Sequence, residues 1–134
     1  MQTIEVAAAI IQGKGEHLGQ IFCAQRGYGD FKDYWEFPGG KLESGESAEN
    51  ALVREIQEEL SASIEVKSLY ETIEFDYPQR HVILHFFLCN LKDESLELLE
   101  HENALWVKYD DLMKLNWLPA DLSLIKKLQQ DFGK

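Results

Sequence analysis

Gly40-Lys-Leu-Glu-Ser-Gly-Glu46, then seven spacer residues, then Arg54-Glu55-Ile-Gln-Glu58-Glu59, is the stretch from which the fold is read. It sets one glutamate, an Arg-Glu pair and a Glu-Glu pair behind a Gly39-Gly40 dipeptide that reads as a turn. Glu55, Glu58 and Glu59 stand at i, i+3 and i+4, spacings that put side chains on one face of a helix. Three carboxylates on one stripe repel each other, so a fold that keeps them together calls for a compensating cation. Hard divalent ions take oxygen ligands of this kind and bridge to substrate phosphates. Clustered glutamate usually means a solvated helix face. The preceding glycines argue for a site, because a solvating face needs no glycine turn before it.

This pattern resembles the Nudix box, G-x5-E-x7-R-E-U-x-E-E-x-G-U, with U a bulky aliphatic residue. Gly40, Glu46, Arg54, Glu55, Ile56, Glu58 and Glu59 match, and a pattern with so many fixed positions is specific. Ser61 replaces the box glycine and Ala62 the last aliphatic residue. The glycine follows the helix end, where a left-handed cap is common. Ser61 is therefore expected to raise the cost of that conformation or to shift the helix end, without removing a carboxylate.

Length and composition agree with a single domain over residues 1–134: the chain is long enough for a core and 45% hydrophobic. No apolar run approaches bilayer length, and the N-terminus has no signal-like core, so a cytoplasmic protein is expected. Cys23 and Cys89 lie in apolar, strand-like segments and read as buried reduced thiols. The net charge of −11 repels nucleic-acid polymers but suits a small polyphosphate carried with metal. No membrane partner is expected, and a monomer and a homodimer remain open.

Alternation and punctuation predict strands over 3–12, 20–25, 64–76, 81–90 and 104–108, and a short extended piece at Trp35-Glu-Phe37 that stops at Pro38. Ser47 is placed to cap a helix running to about Ser61, with Leu52, Ile56 and Leu60 as its apolar stripe. A polar connection fills 93–103. A short helix is expected at 110–115 and a terminal helix at 119–132, whose core face is Leu122, Ile125, Leu128 and Phe132. The order suggests an α/β protein. The resemblance implies the Nudix fold, an α/β/α sandwich around a mixed sheet.

Segments outside the box resemble the MutT-type branch, which acts on oxidised purine nucleotides, and its close relatives that act on CTP. They are Trp35-Glu-Phe-Pro-Gly-Gly-Lys-Leu-Glu, the turn Tyr77-Pro-Gln-Arg-His81 and Leu118-Pro-Ala-Asp121. The resemblance places Arg26 as a phosphate or nucleotide contact, although a surface ion pair explains it equally. It places Glu100 as a further metal ligand, with Glu102 the alternative, and Asp121 as the reader of the base edge. An acidic residue in a first helical turn also favours the helix dipole with no ligand at all. Phe37, Tyr77 and Phe86 are candidates to stack on a base, with the core the stronger assignment for Phe86. The histidines have no ligand spacing, so zinc is not expected.

The resemblance implies hydrolysis of a nucleoside triphosphate to monophosphate and pyrophosphate, with magnesium as cofactor and manganese as the alternative. Gly39 (through its carbonyl), Glu55, Glu58, Glu59 and Glu100 are the implied metal ligands. Glu55 is the candidate general base, ahead of Glu58 and Glu100. Arg54 orients a glutamate, while Gly40 and Glu46 have structural roles. An ionised Asp121 only accepts hydrogen bonds, which favours the guanine edge with its adjacent N1–H and 2-amino donors. Two alternatives stand: a pyrophosphohydrolase for CTP or modified pyrimidines, and a non-catalytic nucleotide-binding module.

Overall fold

The run Ala7-Ala-Ala-Ile-Ile11 forms the buried half of strand β1 (Gln2–Ile11), none of its five residues more than 3% exposed. A strand covered on both faces reads as a continuous apolar run rather than an alternation. The structure, a computed structural model, describes residues 2–93 and 95–133. Glu94, within the expected polar connection, and the terminal residues Met1 and Lys134 lie outside them.

Along the chain follow β2 (Gln20–Arg26), β3 (Trp35–Glu36), β4 (Gly39–Lys41), α1 (Ala48–Leu60), β5 (Ile64–Tyr77), β6 (Arg80–Leu91), β7 (His101–Lys108) and α2 (Leu122–Phe132). Four strands form a mixed sheet in the order β4-β1-β6-β5, with β1 and β6 parallel and the other pairs antiparallel. An antiparallel sheet, β3-β2-β7, stands beside it. Alternation along β1 feeds two cores. Ala8 and Ile10 pack with Phe86, Trp117 and Leu124, Ile125 and Leu128 of α2. Ala7, Ala9 and Ile11 pack with Leu52, Ile56 and Leu60 of α1. The helices thus cover opposite faces, giving an α/β/α sandwich. Each fully buried leucine or isoleucine contributes about 1.5–3 kcal/mol.

The start of α1 follows its sequence signal: Ser47 Oγ accepts from the Asn50 N–H at 3.1 Å. Its end is left-handed at Ser61, with φ 51° and ψ 38°, where a glycine would be unstrained. The orphan carbonyls of that last turn are not left to water. Glu59 O accepts from Leu99 N at 3.0 Å and Leu60 O from Glu97 N at 2.7 Å. The segment before Glu100 is thereby tied to the helix that carries the box glutamates.

Several local expectations change. Gly39-Gly40 is not a turn but strand β4, paired with Ala8 and Ala7 of β1. A Cβ on Gly39 would lie 2.0 Å from Ala7 O, so glycine is needed there for close strand approach. The last strand starts at His101 rather than 104, because pairing with Arg26 extends it. The short helix is a 3-10 segment, Tyr109–Lys114, and a second one, Pro119–Asp121, precedes α2. The core face of α2 is Leu124, Ile125 and Leu128; Leu122 is 42% and Phe132 39% exposed. Phe132 instead lies beside the core and stacks on Tyr109. Cys23 and Cys89 are buried free thiols.

Candidate active site

Arg54 is the hub of the box. On the second turn of α1, its Nε and Nη2 donate to the two oxygens of Glu46 at 2.7 and 2.9 Å. Nη2 also donates to the Lys41 carbonyl at 3.1 Å, and Nη1 to Glu55 Oε1 at 2.8 Å. Glu58 is a weaker partner at 3.4 Å. The bidentate pair is therefore with Glu46, which ties the loop before α1 to the helix. The guanidinium and the Glu43 N–H hold the Glu46 carboxyl down at about 2.

Glu55 and Glu59 face a cleft of about 460 Å³. Gly39, Gly40 and Lys41 of β4, Arg26, Glu36, Arg80, Glu100 and His101 also line it. Glu59 is 7% exposed, and Gly39 N–H donates to its Oε1 at 3.3 Å. Burial, then the charges of Glu36, Glu55 and Glu100, push its carboxyl up to about 9. Glu55 is raised by burial, against the pull of Arg54, with Glu58 and Glu100 adding to the rise. Gly40 leaves room for it: a Cβ there would lie 2.3 Å from Glu55 Cδ. Glu58 stays outside the cleft lining, 56% exposed beside Arg54. Glu102, the alternative to Glu100, pairs instead with Lys32 at 3.4 Å.

The donor chemistry suits a hard divalent cation. Carboxylates from α1, from β3 and from the residue before β7 meet at one cleft, and each raises the cost of ionising Glu59. Among the described residues, no three His, Cys, Asp or Glu side chains converge tightly enough to hold an ion as placed. Such a wide acidic ring leaves room for a hydrated divalent cation shared with substrate phosphates.

The other expected residues lie toward the start of α2. Arg26 donates to Glu36 Oε1 at 3.0 Å and lines the cleft, so it is both an ion-pair partner and a cleft residue. Tyr77 is half-buried against Phe75 and Phe31, and its OH accepts from Ala120 N at 3.2 Å. Phe37 is core: it is 4% exposed, stacked on Trp117 at 4.8 Å and edge-on to Phe86. Its ring has no free face for a base. Phe86 is fully buried, as its mid-strand position implied.

Asp121 departs most from expectation. It is 3% exposed and caps no helix N–H with its side chain. Burial, then Glu36, hold its carboxyl well above the usual range, against opposition from the Phe37 N–H and Arg26. Burial and the Glu36 charge both favour the neutral carboxylic acid over the carboxylate.

Sequence reasoning missed Glu36, Lys41, Arg80 and His101 as cleft residues. Glu36 was signalled by its place between Trp35 and Phe37, since alternation turns it away from their core. A second cleft, of about 410 Å³ between Lys14–His17 and Trp106, shares no lining residue with the first.

An acidic cleft of small-molecule size on an α/β/α sandwich, bounded by a glycine strand and a glutamate-bearing helix, fits a class of phosphoanhydride-cleaving enzymes. The NUDIX domain family matches residues 1–128, and the chain belongs to it as a Nudix hydrolase. It is 37% identical to an 8-oxo-dGTP diphosphatase of Haemophilus influenzae, covering 93% of this chain and 90% of that one. It is 35% identical to a CTP pyrophosphohydrolase of Escherichia coli, covering 94% and 91%. The solution structure of the E. coli ORF135 protein superposes with a TM-score of 0.81 at 33% identity, covering 97% and 91%. Hydrolases of this family work with a divalent metal.

Proposed function

We propose that this chain hydrolyses nucleoside triphosphates to monophosphate and pyrophosphate with magnesium, manganese serving as substitute, and that 8-oxo-dGTP is its preferred substrate. The observation that carries the reading is the gathering of Glu55, Glu59 and Glu100 with Gly39 in one cleft, which the cations Arg26, Lys41 and Arg80 also line. Likeness to an 8-oxo-dGTP diphosphatase over nine-tenths of both chains supports the choice of substrate.

Glu59, Glu55, Glu100 and the Gly39 carbonyl would hold the metal, with Glu58 joining from the rim. When bound, the ion lowers the pKa of the attacking water and stabilises charge on the departing phosphate. Glu55 takes the proton from that water. Arg54 keeps its carboxylate aimed into the cleft, and Glu46 keeps Arg54 in place. Lys41, Arg80 and Arg26 attract the phosphates into an otherwise acidic protein.

At the nucleoside end, Asp121 reads the base as a carboxylic acid. A protonated carboxyl offers one donor beside one acceptor. Oxidation at C8 turns N7 of guanine from an acceptor into a donor, so N7–H and O6 of 8-oxoguanine form the matching pair. Unmodified guanine offers only acceptors at N7 and O6. Tyr77 flanks the base.

The same protonated Asp121 also fits cytosine, whose 4-amino donor lies beside the N3 acceptor. With the likeness to a CTP pyrophosphohydrolase, this supports CTP as a second reading. Pyrophosphate release from a panel of 8-oxo-dGTP, dGTP, CTP and dCTP with magnesium decides between them. No release from any nucleotide would sink both and leave a binding module.

A further inference from the structure

Glu36 stands between the two ends of the cleft, and both of its oxygens are taken. Oε1 accepts from Arg26 Nη1 at 3.0 Å, and Oε2 faces His101 Nε2 at 2.9 Å. The His101 side chain is only 5% exposed, yet it belongs to the cleft lining. A carboxylate only accepts, so the hydrogen of the neutral ring sits on Nε2 and Nδ1 keeps a lone pair. Among the described residues, His101 Nδ1 is the sole buried side-chain nitrogen or oxygen without a partner. Buried polar atoms are normally paired. For packing alone, a leucine of similar bulk would fill the place with no orphan atom.

A bulge delivers this ring. The β2–β7 register passes from Gln25↔Asn103 to Arg26↔His101, which leaves Glu102 as the extra residue. In an unbroken ladder Glu102 would oppose Arg26, and His101 would point to the other face. Gly27 packs on the bulge: a Cβ there would lie 3.2 Å from Glu102 N and 3.4 Å from Glu100 O. On the other side, the Glu97 and Leu99 N–H groups hold the approach to Glu100 against the end of α1. Glu100 is thus fixed on both flanks, by α1 before it and by His101 after it.

We propose that His101 is a positioning residue that holds the metal-side Glu100 and the substrate-side Arg26 in one register, through the two oxygens of Glu36. It is a link between the two ends of the site, not a ligand or base. The inference rests on the metal and nucleotide roles proposed above for Glu100 and Arg26.

The test compares His101→Leu with His101→Gln, whose amide reaches Glu36 as the imidazole Nε2 does. Manganese binding is read by electron paramagnetic resonance without nucleotide, and kcat and KM are read on dGTP with saturating magnesium. His101→Leu should weaken manganese binding about tenfold or more and raise KM, as loss of an outer-shell partner does. His101→Gln should restore most of both. Arg26 and His101 face each other across β2 and β7 and share Glu36, so Arg26→Lys and His101→Leu should combine non-additively, and most of the coupling should be lost in a Glu36→Gln background. Should His101→Leu fail to fold, His101→Asn, too short for Glu36, replaces it. Wild-type binding and kinetics in the leucine variant, losses that glutamine does not restore, or plain additivity would each overturn the proposal. A wild type that binds manganese but turns over no nucleotide would refute the reading of function instead, and the manganese comparison would still judge His101.

Discussion

Replacing Gly40 with alanine probes the site without touching a charge. The added Cβ would lie 2.3 Å from both Cδ and Oε2 of Glu55 and 2.7 Å from its Cγ, against an ordinary contact of 3.4–4 Å. All three nearest atoms belong to that one side chain, so the β4–β1 pairing need not move. The carboxylate must retreat by about 1 Å, away from the position set by its 2.8 Å bond to Arg54. A displacement of about 1 Å at a reacting group costs on the order of 10²-fold in rate. We expect Gly40→Ala to lower kcat by about that factor, with a melting temperature within about 4 °C of wild type, equivalent to no more than about 1 kcal/mol for a chain of this length. The assay is coupled pyrophosphate release under saturating magnesium, with circular dichroism for folding. Gly39→Ala is the contrast. Its Cβ would meet backbone, Ala7 O at 2.0 Å, so it should destabilise the sheet rather than select the chemistry. A folded Gly40→Ala enzyme with near-wild-type turnover would show that the Glu55 carboxylate is not the catalytic group.

Other expectations follow from single residues. Ser61 is left-handed, so Ser61→Gly should stabilise the fold by up to about 1 kcal/mol and leave turnover within a few-fold, read by urea unfolding and kinetics. A large rate change would mean that the helix end shapes the site. Asp121→Asn keeps one donor and one acceptor and should retain most activity. Asp121→Ala should lose about 1–3 kcal/mol in kcat/KM, about 0.5–1.5 for each of two neutral hydrogen bonds, and narrow the gap between guanine and cytosine substrates, and an equal loss on 8-oxo-dGTP, dGTP, CTP and dCTP would deny it a role in base reading. Glu46 has its pKa lowered from 4.5 to about 2 by Arg54 and the Glu43 N–H, so its contribution to stability is present above pH 4.5 and is lost as pH falls through 2. The stability difference between wild type and Glu46→Gln should therefore shrink over that window in denaturant titrations, and a constant difference would contradict the assignment.

The elements legible in the sequence are those with a local cause. The Ser47 cap, the Leu52-Ile56-Leu60 stripe and the β5–β6 hairpin each follow from neighbours a few residues apart, and each stands within a residue or two of expectation. Box spacing put Glu55 and Glu59 together because a helix does so unaided. What stayed hidden depends on partners far along the chain. Gly39-Gly40 reads as a turn until Ala7 and Ala8 are seen to need a strand without side chains beside them. Phe37 looked available to a base, but Trp117, eighty residues on, takes its face. Asp121 read as an ionised carboxylate at the base edge, because neither its burial nor the nearby Glu36 charge shows in its own stretch of sequence. His101 carried no ligand spacing, and only a bulge turns it inward.

The spacing of the box itself has a physical reading in Arg54. Glu46 and Arg54 are eight residues apart, a distance that spans the Ser47 cap and two turns of α1. That path brings the loop carboxylate beside the helix flank, where the guanidinium can meet it edge-on. One planar fork then serves Glu46 with two donors, the Lys41 carbonyl with a third contact, and Glu55 and Glu58 with Nη1. A lysine ammonium concentrates its three donors at one point and cannot span partners on a loop, a strand and two helical positions. The arginine is thus what lets one acidic helix face serve two ends: Glu46 is consumed as an anchor, while Glu55 is restrained on one oxygen only. The row of like charges that would otherwise spread apart is held by a cation built into the chain, and the cleft side is left to the metal.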